Sequence, residues 1–237
     1  MSDVQPLTLV PAETLGTISP LLHGQFAEHL GELVCPGIWV GEESRIPNTG
    51  GLRNSVLEAL RPLALPVLRW PGGNFADSYH WRDGIGPRAR RPLRLNVQWG
   101  NAPETNHFGT YEFIAFCRAI GAEPYIAGNL GSEPPAQLRD WVEYCNFAGP
   151  SETADLRRAN GAAEPFRVRF WGVGNENWGA GGRWVRNITP PSSAVTARTC
   201  LNTPEPNRTR WPRGRAAATG TGRDASFATW RRNTGTV

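Results

Sequence analysis

The sequence around Glu176 combines a strand-like run with a carboxylate placed for acid–base chemistry. Residues 167–173 are rich in valine and aromatic residues, and Gly174, Asn175 and Glu176 follow directly. In a parallel β/α fold, the end of such a strand lies where ligands bind. Glycosidases need two carboxyl groups beside the scissile bond, one of which acts as general acid and base. The pattern makes Glu176 a candidate acid/base and Asn175 a candidate partner for a sugar hydroxyl, although a simple polar turn would have a similar sequence.

Three further strand-like runs end in polar side chains. Glu28 follows residues 22–27, Asn74 follows residues 66–70, and Asn129 follows residues 124–128. Carboxylates and amides bind hydroxyl groups, and flat aromatic rings pack on the C–H faces of sugars. The tryptophans that interleave with these side chains are Trp39, Trp70, Trp81, Trp99, Trp171 and Trp178. The pattern as a whole predicts a sugar pocket, whereas each ring taken alone is more typical of a core.

Helix-like segments lie between the strand-like runs and would position these side chains. Residues 51–63, 110–120 and 132–147 carry apolar residues three or four positions apart, with Gly121 as a C-terminal cap and Ser132 as an N-cap. Alternation of strands and helices predicts an α/β fold with a parallel sheet. Four strands use about 174 residues, so the chain is expected to hold a partial (β/α)8 TIM barrel of about the first four units.

Charge divides the chain into two parts. All 25 basic residues are arginine; residues 1–183 have a net charge of −3, and residues 184–237 have a net charge of +7. The second part contains only six Ile, Leu, Val or Phe residues in 54 positions. We expect a domain over 1–183 and, over 184–237, a tail that is either disordered or an out-of-frame translation. A nucleic-acid-binding arm has only this composition in its favour, and the acidic body argues against a nucleic-acid partner.

Cysteine and histidine spacing indicates neither a disulfide framework nor a metal site. The four cysteines form no CxxC pair and the four histidines show no paired spacing, so we expect reduced thiols and neither a metal nor a cofactor. No apolar run approaches the ~18 residues of a membrane span. The first residues also lack the pattern of a secretory signal, which predicts a cytoplasmic protein without a membrane partner.

Five ordered blocks within about residues 18–183 resemble the α-L-arabinofuranosidases of glycoside hydrolase family 51. The blocks are GQFAEHLG (24–31), GIWVGEES (37–44), RWPGGNFADSYHWRDGIGP (69–87), ETNHFGTYEF (104–113) and WGVGNENWG (171–179). The resemblance implies a retaining enzyme that removes terminal α-L-arabinofuranosyl groups from arabinan, arabinoxylan or short arabino-oligosaccharides, and that forms homo-oligomers.

The resemblance also implies residue roles. Glu176 corresponds to the general acid/base, and Asn175 to the residue that holds a hydroxyl near the reacting carbon. Glu28 and Asn74 correspond to ligands of the furanose hydroxyls, and Trp99 to a residue that lines the pocket.

One element of the implied mechanism is missing. A retaining mechanism needs a nucleophilic carboxylate roughly 5–5.5 Å from the acid/base, and the resemblance places it after a seventh barrel strand. Beyond residue 183 the chain has only Glu205 and Asp224, in sequence without core-forming residues. No spacing favours the earlier acids as nucleophile, namely Asp77, Asp83, Glu104, Glu112 and Glu133. We therefore expect a C-terminally truncated enzyme that is inactive by itself and lacks part of the family's oligomer interfaces.

Two other functions are compatible with the same residues. A non-catalytic sugar-binding fragment would keep the half-pocket of Glu28, Asn74, Trp99 and Asn175. A retaining barrel glycosidase of other sugar specificity would keep Glu176, because Gly-Asn-Glu strand ends are not confined to one substrate; the first-strand and PGGN blocks argue against it.

Overall fold

The computed structural model describes residues 16–176. Within them the helices are α1 (Asn54–Leu60), α2 (Thr110–Ile120), α3 (Pro135–Asn146) and α4 (Glu152–Ala159). The strands are β1 (Gln25–Phe26), β2 (Asn48–Thr49), β3 (Leu52–Arg53), β4 (Val67–Trp70), β5 (Arg94–Asn96), β6 (Ala102–Glu104), β7 (Glu123–Gly128) and β8 (Phe170–Val173). The segment 184–237, for which the composition predicts a tail, and Trp178 lie outside these residues.

A four-stranded parallel sheet in the order β1-β4-β7-β8 forms the centre of the described region. α1 precedes β4, α2 lies between β4 and β7, and α3 and α4 lie between β7 and β8. The register pairs Phe26 with Arg69, Trp70 with Ile126, and Gly128 with Val173, so the carboxyl ends of the four strands form one edge. The predicted α/β class with a parallel sheet is confirmed.

The bounds of several elements differ from prediction. Residues 22–23 are not strand, because Pro20–His23 forms a 3-10 helix whose N-cap, Ser19, accepts from the Leu21 N–H at 3.3 Å. Residues 167–169 precede β8 without joining it, and Arg167 has a φ of 62°. The N-cap of α3 is Pro134, so the prediction of Ser132 as cap is wrong.

Two antiparallel hairpins, β2–β3 and β5–β6, were not predicted, since each strand has only two or three residues. Short 3-10 helices lie after α1 at Arg61–Leu63 and between β4 and β5 at Asn74–Ser78, Trp81–Gly84 and Arg88–Arg90. One of these helices, Asn74–Ser78, contains Asn74 and Asp77, two polar residues of the candidate site.

The core is aromatic and lies between the sheet and the helices. Trp70 is fully buried and stacks on Phe113 with ring centroids 5.1 Å apart. Trp81 stacks on Trp141 at 6.0 Å. The predicted inward faces of α2 and α3 are confirmed by burial of Phe113, Ile114, Phe116, Cys117, Ile120, Leu138, Trp141, Val142 and Cys145. Trp39, Trp70 and Trp81 therefore belong to the core rather than to a pocket.

The thiols of the described region are unpaired. Cys35 is half-buried, and Cys117 and Cys145 are buried, all three without a disulfide. Burial raises the pKa of Cys35 to about 12, as expected for a thiol that stays protonated. None of the helices in residues 16–176 has the length and apolar character that a bilayer span requires.

Arg157 of α4 holds the chain between α3 and β8. Its buried guanidinium donates to the carbonyl oxygens of Tyr144 at 2.9 Å, Phe147 at 2.8 Å and Ala162 at 3.1 Å. Burial lowers its pKa from the ordinary value. Because methionine cannot donate to carbonyl oxygens that surround a buried side chain, we expect Arg157→Met to lower the free energy of unfolding by roughly 3 kcal/mol.

Urea denaturation of the 237-residue chain measures this effect. The matched control is Arg139→Met, since the side chain of Arg139 is half exposed and pairs with Asp140 on the surface of α3. The control should change stability by less than about 0.5 kcal/mol. Equal effects of the two substitutions would contradict the structural role of Arg157.

Candidate active site

Glu28 joins the ends of the first two strands of the sheet. It is buried just after β1, and its Oε1 accepts from the N–H of Gly73 at 2.8 Å and of Phe75 at 3.1 Å. Gly72 has a φ of 148°, and a Cβ there would overlap the Glu28 side chain, so this close approach needs glycine. The Pro-Gly-Gly-Asn turn after β4 is therefore folded around the Glu28 carboxylate.

Asn74 and Asn175 meet across the same edge. Arg69 of β4 donates from Nη2 to Oδ1 of Asn175 at 2.8 Å, and Asn175 donates from Nδ2 to Oδ1 of Asn74 at 3.4 Å. A Cβ on Gly73 would lie 3.5 Å from Oε1 of Glu28 and 3.6 Å from Oδ1 of Asn175. The ends of β1, β4 and β8 thus bring Glu28, Asn74 and Asn175 into one polar cluster.

Glu176 follows this cluster directly. It is exposed, with a φ of 41°, in the left-handed region that costs energy for a residue with a side chain. The backbone before it is held on both sides: Gly174 donates to the Gly128 carbonyl at 3.2 Å, and Asn175 donates to Oδ2 of Asp77 at 3.1 Å. The strand ends therefore fix the peptide that presents the Glu176 carboxylate.

Asp77, which the sequence offers only as one of several acids without favourable spacing, is a buried member of the site. Its Oδ1 accepts from the N–H of Leu130 at 3.0 Å and of Gly131 at 3.1 Å, while Oδ2 holds Asn175. Burial raises the pKa of Asp77 to about 6, although these hydrogen bonds and the charge of Arg69 oppose the rise. The available signal was its position three residues after Asn74.

Asn129 points into its own loop rather than towards a ligand. Its Nδ2 donates to the Tyr79 carbonyl at 3.1 Å and to the Ser132 hydroxyl at 2.8 Å, and its Oδ1 accepts from the Ser132 N–H at 2.9 Å. The four polar groups expected at consecutive strand ends thus divide into three that cluster and one that shapes a loop.

A second buried network supports the loop of Glu28. His29 binds Oε2 of Glu104 through Nδ1 at 2.7 Å, and its Nε2 accepts from the indole N–H of Trp70 at 2.9 Å. Because Nε2 accepts, Nδ1 carries the proton, and the ring is neutral. Burial raises the pKa of Glu104, but the hydrogen bonds from His29 and Asn106 outweigh it and hold the pKa below its ordinary value.

Trp99 reaches the cluster indirectly. It is half-buried, and its backbone N–H donates to Oδ1 of Asn96 at 3.2 Å, while Nδ2 of Asn96 donates to the His29 carbonyl at 2.6 Å. Among the described residues its indole N–H is buried without a hydrogen-bond partner. The structure therefore links Trp99, through Asn96, to the loop that carries Glu28.

The other acids considered as nucleophiles are bound to protein donors. Asp83 pairs with Arg94, Glu104 with His29, Glu112 with Arg88 and Arg91, and Glu133 with His80. Asp77 accepts three backbone N–H groups. In residues 16–176 no group of three or more His, Cys, Asp or Glu side chains could hold a metal ion.

The fold and the cluster together define an α/β protein with its polar groups at the carboxyl edge of a parallel sheet, the edge at which such folds bind ligands. Comparison with known proteins identifies the family within this structural class. The family model "Alpha-L-arabinofuranosidase 1 domain" matches residues 56–187. The chain therefore belongs to the α-L-arabinofuranosidases of glycoside hydrolase family 51.

Individual relatives agree with this family. An intracellular exo-alpha-L-arabinofuranosidase of Bacteroides ovatus is 53% identical over 161 residues, which are 68% of this chain and 31% of the relative. A probable alpha-L-arabinofuranosidase C of Aspergillus niger is 43% identical over 75% of this chain and 35% of its own length. The chain thus spans about a third of the length of these curated relatives.

Solved structures show the same relationship. The GH51 arabinofuranosidase from Xanthomonas axonopodis pv. citri superposes with a TM-score of 0.77 at 47% identity, over 80% of this chain and 38% of that one. An arabinose complex of the Thermotoga maritima alpha-L-arabinofuranosidase gives a TM-score of 0.73 at 43% identity, over 76% of this chain and 38% of the other.

Proposed function

We propose that the chain provides the sugar-binding and acid/base part of a retaining α-L-arabinofuranosidase active site. The observation that carries the proposal is the cluster of Glu28, Asn74 and Asn175 at the carboxyl edge of the sheet, with the exposed Glu176 next to it. In this proposal Glu28 and Asn74 hold furanose hydroxyls, Asn175 holds a hydroxyl near the reacting carbon, and Trp99 lines the pocket.

The proposed chemistry assigns two proton transfers to Glu176. As an acid it protonates the oxygen of the leaving group, and as a base it removes a proton from the water that attacks the glycosyl-enzyme. The fixed backbone of Gly174 and Asn175 supports this role, because acid–base catalysis depends on holding the carboxyl group within hydrogen-bond reach of the reacting oxygen.

The proposal places the nucleophile outside residues 16–176. The carboxylates of that region other than Glu176 that were considered for the role accept hydrogen bonds from backbone N–H groups, arginine or histidine, as described above. We expect the 237-residue chain alone to hydrolyse no arabinofuranoside. The order β1-β4-β7-β8 with parallel pairing supports the further proposal that residues 1–183 form the first half of a (β/α)8 barrel.

A cytoplasmic location is part of the same proposal. It is supported by the three thiols of residues 16–176, which form no disulfide there, and by the name of the Bacteroides ovatus relative, which is described as intracellular.

Ligand binding to the whole chain tests the pocket. Methyl α-L-arabinofuranoside, titrated into the 15N-labelled 237-residue chain, should shift the amide signals of Glu28, Asn74 and Asn175. Asn74→Ala should weaken this binding by roughly tenfold, the cost of one lost hydrogen bond in a polar site. The matched control is Asn54→Ala, because Asn54, at the start of α1, accepts a hydrogen bond from the Thr49 hydroxyl of the β2–β3 hairpin rather than from the polar cluster.

The sugar that the chain binds distinguishes the proposed function from a glycosidase of other sugar specificity. Binding of methyl β-D-xylopyranoside in place of the arabinofuranoside would favour a barrel glycosidase of other specificity. Binding of neither sugar by the folded chain would contradict the proposal.

A hydrolysis assay needs a protein that also contains the nucleophile, because the proposal places the nucleophile outside residues 16–176. Residues 16–176 of this chain can replace the aligned segment of the Bacteroides ovatus relative, which is 53% identical in the matched region. This exchange, called the chimera below, supplies the remainder of the relative's chain. Two results together would favour a non-catalytic sugar-binding fragment: the 237-residue chain binds methyl α-L-arabinofuranoside, and the chimera folds but does not hydrolyse it.

A further inference from the structure

Asp77 connects the ends of three strands of the sheet through its two carboxylate oxygens. It lies in the 3-10 helix Asn74–Ser78 after β4 and is buried. Oδ1 accepts from Leu130 and Gly131 after β7, whereas Oδ2 accepts from Asn175 after β8. Oδ1 therefore accepts hydrogen bonds from the loop after β7, and Oδ2 accepts a hydrogen bond from the loop after β8.

This division matters because an amide cannot replace both oxygens. In an asparagine at position 77, the amide oxygen can accept from Leu130 and Gly131. The amide nitrogen then faces the N–H of Asn175, and two donors cannot bond to each other. The substitution keeps size and shape, so it tests one hydrogen bond while preserving the packing.

We propose that Asp77 is a positioning residue whose Oδ2 fixes the peptide of Asn175 and, through it, the place of the Glu176 carboxylate. The proposal rests on the proposed function for the role of Glu176, but the hydrogen bonds that carry it are independent of that role. Asp77 itself has no part in bond making or breaking.

The surroundings of Asp77 make this contact sensitive to pH. The charged or titratable groups on the neighbouring elements are Glu28 after β1, Arg69 of β4, His80 paired with Glu133 after β7, and Glu176 after β8. The charge of Arg69 lowers the pKa of Asp77, but burial dominates and raises it to about 6. As the pH falls through about 6, a proton on Oδ2 would weaken its hydrogen bond with the Asn175 N–H, because a neutral hydroxyl oxygen accepts less strongly than a carboxylate oxygen.

Protonation of Asp77 should weaken its contact with Asn175 but increase the free energy of unfolding. The pKa of Asp77 in the folded chain lies above the ordinary value of 3.8, so the folded state binds this proton more tightly than the unfolded state. The stabilisation due to protonation is complete below about 3.8 and is lost as the pH rises through about 6. A weaker site at mildly acid pH is thus expected without a weaker fold, which separates positioning from general structural support.

NMR of the 15N-labelled 237-residue chain tests the contact directly. Between about pH 7.5 and pH 4.5, the amide signals of Leu130, Gly131 and Asn175 should titrate with one shared midpoint near 6. Asp77→Asn should abolish the shared midpoint, whereas Asp155→Asn, which removes an exposed charge from α4, should leave it unchanged. Independent midpoints, or none, in the unsubstituted chain would overturn the proposal, and this test does not require the variant to fold.

Sugar binding provides the second readout. We expect Asp77→Asn to weaken binding of methyl α-L-arabinofuranoside roughly tenfold at neutral pH and to remove the decline in affinity below pH 6. The melting temperature at neutral pH should not fall, because removal of the buried charge offsets the unpaired N–H of Asn175. Unchanged affinity and pH dependence would refute positioning while leaving the proposed function intact. A shared amide midpoint with no arabinofuranoside binding in either protein would instead refute the proposed function and leave the contact standing.

Discussion

Replacing Glu176 by glutamine in the chimera should lower turnover of methyl α-L-arabinofuranoside about a thousandfold. The methoxide leaving group needs a proton as the glycosidic bond breaks, and glutamine cannot supply one. Steady-state release of arabinose at neutral pH measures the effect. Glutamine keeps the size of the side chain, and residue 176 is exposed, so the loss should come without a change in stability.

Leaving-group dependence identifies the role of Glu176 more specifically than the rate loss. With a 2,4-dinitrophenyl leaving group, which departs without a proton, the first step should slow by less than about tenfold. Added azide should then restore turnover by attacking the glycosyl-enzyme without a base. Glu58→Gln, on the exposed side of α1, is the matched control. Equal losses with both leaving groups and no azide rescue would contradict the assignment of Glu176 as acid/base.

Replacing Glu28 by alanine should have the largest combined effect on stability and binding. The substitution leaves the N–H groups of half-buried Gly73 and buried Phe75 without an acceptor, so the free energy of unfolding should fall by roughly 3 kcal/mol. The turn that carries Asn74 would lose the group around which it folds. Binding of methyl α-L-arabinofuranoside should weaken by about a hundredfold or more.

Glu28→Gln separates the two contributions. Its amide oxygen can still accept from Gly73 and Phe75, so stability should stay within about 1 kcal/mol of the unsubstituted chain. Its amide nitrogen replaces Oε2 and cannot accept from a sugar hydroxyl, so affinity should still fall about tenfold. Urea denaturation and sugar titration measure both quantities. A glutamine variant as unstable as the alanine variant, or one that binds normally, would contradict the proposed double role of Glu28.

Elements with clear end signals and an apolar stripe could be predicted from the sequence. α2 occupies the predicted residues 110–120, because its inward positions are apolar and Gly121 adopts the left-handed conformation at its end, with a φ of 78°. α4 was not predicted, since its buried side is formed by Thr153, Ala154 and Arg157 rather than by an apolar stripe. A helix that buries a guanidinium against carbonyl oxygens has no hydrophobic period to detect.

The candidate site also contains residues that the sequence predicts and residues that it does not. Glu28, Asn74 and Asn175 were expected to lie close together, because ends of parallel strands share one edge of a sheet. Asp77 and the pair of His29 and Glu104 were not expected. Asp77 binds backbone N–H groups 53 to 98 positions away, and His29 and Glu104 lie 75 positions apart, separations that no local pattern encodes.

The chimera tests the central claim most directly, because it asks whether residues 16–176 can work as part of an active site. The claim predicts that the chimera folds, hydrolyses 4-nitrophenyl α-L-arabinofuranoside within about tenfold of the Bacteroides ovatus parent, and loses turnover of the methyl glycoside with Glu176→Gln. A folded chimera that binds the sugar without hydrolysis, or whose activity survives Glu176→Gln with both substrates, would contradict it.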